Sequence, residues 1–315
     1  MNQADPDFDS LVPGQPPGLP MSRRSFVGAT MATGFALAVR PALGQSVVHT
    51  PADGLVAGDI TVFAADGMAV AAYRAQPAGK GPFPTVLVVQ EIFGVHEYIR
   101  DTCRRLAREG YQAVAPNLYQ RQGDPAGIAS VPEIMSKIVS QVPDAQVMGD
   151  LDTCANWAAA NGGDPKRLAI TGFCWGGRIA WLYAAHNPRL KAGVAWYGRL
   201  TGAASPLTPA HPVDVVGQIA APVLGLYGAK DQGIPVSDVE RMRSDLTRVG
   251  KRAEFVVYPE AGHAFHADYR PSYRAAEAAD AIDDQAVDDR AHDRVQARRR
   301  FVEEQDLRIV GQRAG

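Results

Sequence analysis

The stretch Thr171-Gly172-Phe173-Cys174-Trp175-Gly176-Gly177 decides how this chain is read. Before it, Arg167-Leu168-Ala169-Ile170 reads as a short buried strand; after it, Arg178 to Ala185 reads as a helix with an apolar face. A strand that becomes a helix within so few residues forces the middle residue into a strained backbone conformation. Gly172 and Gly176 carry no Cβ, so strand and helix can approach closely around it. The middle side chain, Cys174, then stands exposed at the carboxyl end of the strand, above the helix N-terminus. Free N–H groups and the helix dipole favour negative charge there, which suits a thiolate. The plainer alternative is a structural cysteine beside a glycine-rich turn.

Working outward, strands and helices alternate. Ile60 to Ala64 and Met68 to Arg74 form a hairpin around Asp66-Gly67. Thr85-Val86-Leu87-Val88-Val89 is a continuous apolar run, as in a strand buried on both faces of a parallel sheet. The turn Gln90 to Val95 follows, then a helix over Glu97 to Glu109 stopped by Gly110, and a strand over Gln112 to Pro116. Gln120 to Pro143 is a polar insertion interrupted by Gly123, Pro125, Pro132 and Pro143, with one short helix around Glu133 to Val142. Asp144 to Ala160 is a helix that leads into the elbow strand. Strands at Ala192 to Tyr197, Val223 to Tyr227 and Ala253 to Tyr258 complete the set, with a helix over Ser237 to Val249. This order predicts an α/β protein with a doubly wound, mostly parallel sheet and helices on both faces.

Composition sets the outer bounds. The chain has 315 residues, 46% hydrophobic and 21% charged, which fits one α/β domain with terminal extensions better than two domains. With a net charge of -2, nothing suggests nucleic acid as a partner. Three cysteines without a C-x-x-C pair make neither a disulfide framework nor a zinc site. Cys103 and Cys154 lie on successive crossover helices, which right-handed connections place on opposite faces of the sheet; both read as buried thiols.

The termini differ from the centre. Residues 1–20 are rich in Pro, Gly and Asp and read as disordered. Ser22-Arg23-Arg24-Ser25-Phe26-Val27 opens an apolar run that ends at Val39. Ala42-Leu43-Gly44 offers a cleavage site before Gln45. Two arginines, a short apolar stretch and small residues make the layout of a signal peptide, and the core resembles a twin-arginine signal. Residues 1–44 therefore read as a disordered N-terminus and signal, residues 45–279 as the folded domain, and residues 280–315 as a charged, disordered tail carrying Asp283-Asp284, Asp288-Asp289 and Arg298-Arg299-Arg300. The expectation is export to the periplasm through the twin-arginine machinery.

A nucleophile on an elbow needs a base on a loop at the same end of the sheet, and a carboxylate to hold that base, in the chain order nucleophile, acid, histidine. Val223 to Tyr227 runs into Gly228-Ala229-Lys230-Asp231. Ala253 to Tyr258 runs into Pro259-Glu260-Ala261-Gly262-His263. Asp231 and His263 thus both follow strand ends. A thiol of pKa about 8.5 is mostly protonated at neutral pH, so an imidazole that takes its proton makes the nucleophile. A carboxylate fixes the tautomer of that imidazole. Singly, Asp231 could be a turn aspartate and His263 an ordinary loop histidine; three matches in the required order favour a Cys174-Asp231-His263 triad. The N–H groups of Trp175 and Ile92 would form the oxyanion hole.

Gln90-Glu91-Ile92-Phe93-Gly94, Pro116-Asn117-Leu118-Tyr119, Gly172-Phe173-Cys174-Trp175-Gly176-Gly177, Gly228-Ala229-Lys230-Asp231 and Gly262-His263-Ala264-Phe265 together resemble the dienelactone hydrolase family of α/β-hydrolases, over roughly Ile60 to Ala275. The resemblance implies hydrolysis of small esters or lactones through an acyl-thioester, with Cys174 as nucleophile, His263 as base and Asp231 as orienting acid. It also implies that Glu91 contacts the resting thiol and helps to ionise it. No metal or organic cofactor is implied, and the partner is a small-molecule substrate for a monomeric enzyme.

The sequence departs from the family's way of binding a substrate carboxylate with arginines and a tyrosine. The insertion offers Lys137 as its cation between Pro132 and Pro143, and Arg270 stands displaced beyond His263. His266, three residues after His263, lacks a third ligand at metal spacing. Trp181 reads as core and Trp175 as pocket lining. Two rival functions remain: a non-catalytic small-molecule-binding protein on the same fold, and a thiol redox sensor built on Cys174.

Overall fold

The computed structural model describes residues 48–283. The signal segment and residues 284–315 of the charged tail lie outside the described residues. One eight-stranded sheet organises the rest, in the order β1-β2-β4-β3-β5-β6-β7-β8. The strands are β1 (Leu55–Phe63), β2 (Ala69–Pro77), β3 (Phe83–Val89), β4 (Gln112–Pro116), β5 (Gly163–Phe173), β6 (Leu190–Trp196), β7 (Val223–Gly228) and β8 (Ala253–Tyr258). β1 and β2 form the antiparallel hairpin, and β2 pairs antiparallel with β4. All pairs from β4 to β8 are parallel.

Among the described residues, six α-helices connect or follow the strands: α1 (Glu97–Arg108), α2 (Val131–Lys137), α3 (Asp144–Ala160), α4 (Trp175–His186), α5 (Val236–Arg248) and α6 (Ala275–Asp283). Because β4 and β5 flank β3 on opposite sides, right-handed crossovers place α1 and α3 on opposite faces. The apolar run of β3 is therefore covered twice, and Leu87, Val88 and Val89 are fully buried. Cys103 on α1 and Cys154 on α3 are free, buried thiols. Burial pushes the Cys154 thiol up to about 12, and Cys103 rises further for the same reason.

Several boundaries move relative to the sequence reading: β1 begins at Leu55, ahead of Ile60, β6 at Leu190, ahead of Ala192, and the insertion helix covers Val131–Lys137 and stops short of Val142. The elbow strand begins at Gly163, ahead of Arg167, because Phe83 pairs with Gly163 and Pro84 with Asp164 at the start of β3. The elbow helix begins at Trp175, directly after Cys174, although two glycines in its first turn weaken the helical signal. At the other end α6 continues through Asp280 to Asp283, so the charged tail does not begin at residue 280.

The topology gathers the carboxyl ends of β3, β5, β6, β7 and β8 at one edge of the sheet. Among the described residues, the non-glycine positions with positive φ are Cys174 (φ 56), Tyr197 (φ 38) and Ala264 (φ 58). They follow β5, β6 and the His263 loop respectively, so the backbone strain concentrates at that edge. A buried ionic chain braces it from α1. Asp101 accepts hydrogen bonds from Arg104 (3.0 Å) and Arg105 (2.5 Å), and Arg105 also donates to Asp268 at 2.6 Å, five residues beyond His263.

Candidate active site

Cys174 sits at the N-cap of α4 with φ 56 and ψ −115, a conformation that costs a non-glycine residue about 1–3 kcal/mol. The surrounding glycines allow it. A Cβ on Gly172 would lie 2.0 Å from the carbonyl oxygen of Gly176, and one on Gly176 would lie 2.5 Å from that of Val89. The elbow is pinned by the Cys174 N–H, which donates to Trp196 O at 3.0 Å. Cys174 as a whole residue is 8% exposed, so it is sheltered.

Asp231 follows β7. Its Oδ1 accepts from Gly233 N (2.9 Å) and Ile234 N (3.2 Å), and its Oδ2 faces His263 Nδ1 at 2.7 Å. The turn-aspartate role and the orienting role thus coexist in one carboxylate, each taken by a different oxygen. The two loops are joined by Lys230 N donating to Ala261 O at 2.9 Å and Ala229 N to Tyr258 O at 2.8 Å. These bonds fix His263 relative to Asp231. With Nδ1 taken by Asp231, the other nitrogen, Nε2, is buried and has no regular hydrogen-bond partner, while the Cys174 sulfur lies near enough to bias its charge. Burial works against the imidazolium, yet the Asp231 carboxylate, with a smaller contribution from the neighbouring Cys174, outweighs it and holds His263 well above the ordinary imidazole range. The ring edge of Tyr197 packs on His263, with centroids 5.1 Å apart.

Glu91 follows β3, beside the elbow. Val89 pairs with Gly172, so Glu91 and Cys174 each stand two residues beyond the last register pair. The Glu91 side chain is 1% exposed. Its Oε2 accepts from Tyr269 OH at 2.6 Å and lies 3.5 Å from His96 Nε2, while Oε1 is buried without a hydrogen-bond partner. Burial disfavours the carboxylate, but His96, Arg270 and the Tyr269 hydroxyl together overcome this and keep the carboxyl below its usual range. Ile92, buried on the same turn, and Trp175, the first residue of α4, carry the two N–H groups assigned to the oxyanion hole. An N–H at the first helical position has no intrahelical acceptor. Trp175 also packs on Tyr119, centroids 5.0 Å apart.

The other singled-out residues fall elsewhere. Lys137 is exposed and paired with Glu133 at 2.8 Å on α2. Arg270 is buried, with its guanidinium 5.8 Å from the Phe93 ring centre. His266 is enclosed by Trp196 and Phe173, and its Nδ1 meets Tyr98 OH at 2.5 Å. Burial pushes the His266 imidazole down to about 3, so it is a neutral core side chain. Trp181 is fully buried and donates to Tyr227 OH at 3.0 Å. Among the described residues, His49, Glu97 and Asp101 come within metal-ligand reach of one another, but the Asp101 oxygens already accept from Thr50, Arg104 and Arg105.

Sequence reasoning missed His96 and Tyr269, the two side chains that contact the Glu91 carboxylate. It also missed Gln90, whose fully buried amide has no regular hydrogen-bond partner and adjoins the Tyr119 hydroxyl. One local signal existed. His96 occupies the N-cap of α1, where Ser, Thr, Asp or Asn would cap, and its side chain makes no capping bond.

The mostly parallel sheet with a strained strand-to-helix elbow at its carboxyl edge defines an α/β-hydrolase fold. The chain belongs to the dienelactone hydrolase family, whose model matches residues 70–287, and it is a hydrolase. It is 60% identical over 261 residues to a protein of Methylorubrum extorquens named "Putative carboxymethylenebutenolidase", covering 82% of this chain and 89% of that one. A protein of the same name from Escherichia coli K12 is 57% identical over 255 residues, covering 81% and 93%. Among solved structures, "Putative Dienelactone Hydrolase" from Klebsiella pneumoniae aligns with a TM-score of 0.71 at 58% identity, covering 73% of this chain and 95% of that one.

Proposed function

We propose that this protein hydrolyses small esters or lactones with Cys174 as nucleophile, His263 as general base and Asp231 as the acid that orients it. The observation that carries this reading is the 2.7 Å contact between His263 Nδ1 and Asp231, which leaves Nε2 free of Asp231 on a ring whose charge Cys174 also influences. His263 accepts the proton of Cys174 and the thiolate attacks the carbonyl carbon. The N–H groups of Ile92 and Trp175 receive the developing oxyanion. Collapse expels the alcohol, protonated by His263, and leaves an acyl-thioester on Cys174. The same imidazole then activates water to release the acid.

The names of the similar proteins point to carboxymethylenebutenolide-type lactones. The cations do not extend that reading to a substrate carboxylate. Lys137 is engaged at the surface, and Arg270 is buried against Phe93. We therefore favour neutral esters and lactones. A screen of purified protein with p-nitrophenyl acetate and a panel of small lactones tests this, and saturable binding without turnover would favour the non-catalytic alternative.

The motif Ser22 to Val27 supports export. Replacing Arg23 and Arg24 together by Lys is expected to leave the precursor in the cytoplasm, read by fractionation. Equal periplasmic recovery of mutant and wild type would contradict export by this route.

A further inference from the structure

His96 breaks a local rule without any local gain. It stands where a capping side chain would satisfy the free N–H groups of α1, yet it leaves them and turns its ring toward Glu91. Three aromatic neighbours fix that ring: Tyr98 stacks on it with centroids 5.9 Å apart, Tyr269 meets it edge-on at 4.9 Å, and Phe93 does so at 6.2 Å. Its Nε2 is buried 3.5 Å from Glu91 Oε2, while the side chain as a whole is 26% exposed. The exposed part lines a groove of about 520 Å³ formed also by Phe93, Arg100, Asn117 and Pro125. His96 therefore connects an open groove with a carboxylate that has almost no contact with solvent.

We propose that His96 is a positioning residue for Glu91: with Tyr269 it holds the Glu91 carboxylate in its ionised form beside Cys174, and so sets how readily the resting thiol reacts. The proposal rests on the reading of Cys174 as the site thiol. A carboxylate as buried as Glu91 tends to take up a proton unless donors or positive charge hold it. The groups facing it are His96 and Tyr98 from the start of α1, Tyr197 after β6, Tyr269 and Arg270 from the loop after β8, and the Tyr119 hydroxyl, which reaches its backbone carbonyl at 3.5 Å. His96 itself faces Glu91, Tyr98 and Tyr269, with Arg100 on the same groove. An anion beside a thiol disfavours the thiolate. Loss of His96 lets Glu91 protonate at higher pH, which removes that anion and makes Cys174 easier to ionise near neutrality.

The test is the rate of Cys174 alkylation by iodoacetamide across pH, in full-length folded protein, located by peptide mass spectrometry. His96→Ala is expected to alkylate on the order of threefold to tenfold faster than wild type near pH 7. Its profile should shift because the Glu91 step moves to higher pH. Glu91→Gln is expected to alkylate faster as well, and adding His96→Ala to it is expected to change nothing further. His96→Lys, which places a cation at the position, should return the rate toward wild type. An unchanged rate in His96→Ala overturns the proposal. So does an equal acceleration by His96→Ala in the Glu91→Gln background, since His96 would then act without Glu91. Ester turnover by Cys174→Ala, measured alongside, separates the two claims: persistent turnover there defeats the nucleophile reading, whereas the alkylation cycle reports on His96 alone.

Discussion

Cys174→Ala is expected to lower ester hydrolysis by at least about 10⁴-fold while the protein stays folded, because removal of a nucleophile from a triad costs nearly all of its catalysis. The side chain lost is small, the residue is buried, and alanine tolerates the backbone no worse than cysteine does, so the elbow should survive. Cys174→Ser is expected to be strongly impaired as well. A hydroxyl is far harder to ionise than a thiol, and the neighbours of this site are arranged around an ionisable sulfur. Steady-state kinetics with p-nitrophenyl acetate, alongside circular dichroism for the fold, gives the comparison. Wild-type turnover by the alanine variant would falsify the triad.

Asp231→Asn carries the second largest effect. The carboxylate is the counter-charge that outweighs burial at His263, and its Oδ2 holds Nδ1 at 2.7 Å. An amide at this position keeps the shape but not the charge, and it admits the wrong imidazole tautomer. The expected loss in kcat is on the order of 10³–10⁴-fold, with KM changed much less. The pH profile should move too. The folded-state pKa of His263 is raised, so protonation of the ring is favoured up to that raised value and lost above it. Without Asp231 the ring loses its proton at lower pH, and any dependence of rate on the imidazolium should shift downward. A variant with near-normal kcat would mean that Asp231 serves its own turn, through Gly233 and Ile234, and not the histidine.

The parts of the fold that the sequence made legible share one cause: their pattern is local. The apolar run of β3, the Asp66-Gly67 hairpin turn and the glycines around Cys174 each constrain the backbone within a few residues. The placement of Asp231 and His263 followed from strand ends, since a parallel sheet puts every carboxyl end on the same side. The contacts around Glu91 were not legible because they are made across long stretches of chain. Tyr269 reaches Glu91 from 178 residues away in sequence. His96 is close in sequence, but its direction depends on a ring cage built by Tyr98 and Tyr269. The start of β5 escaped for a related reason, because Gly163 and Asp164 join the strand by pairing with Phe83 and Pro84, while the polar Lys166 and Arg167 fall in the register shift before Leu168.

Arg270 illustrates the same limit from the other side. Its position beyond His263 suggested a displaced substrate cation, whereas folding buries it where its charge supports Glu91. The two missed side chains and this arginine thus converge on one carboxylate. Under the proposed mechanism Cys174 has two partners set on opposite terms: the His263 imidazole pushed up by Asp231, and the Glu91 carboxyl held down by His96, Arg270 and Tyr269.

The most direct test of the central claim is to trap the acyl-enzyme. Wild-type protein mixed with a slowly deacylating p-nitrophenyl ester and quenched in acid within the first turnover should gain the mass of one acyl group. Peptide mapping should place that group on Cys174 as a hydroxylamine-labile thioester. Full hydrolysis with no acyl adduct at any quench time, or an adduct confined to another residue, would contradict the account.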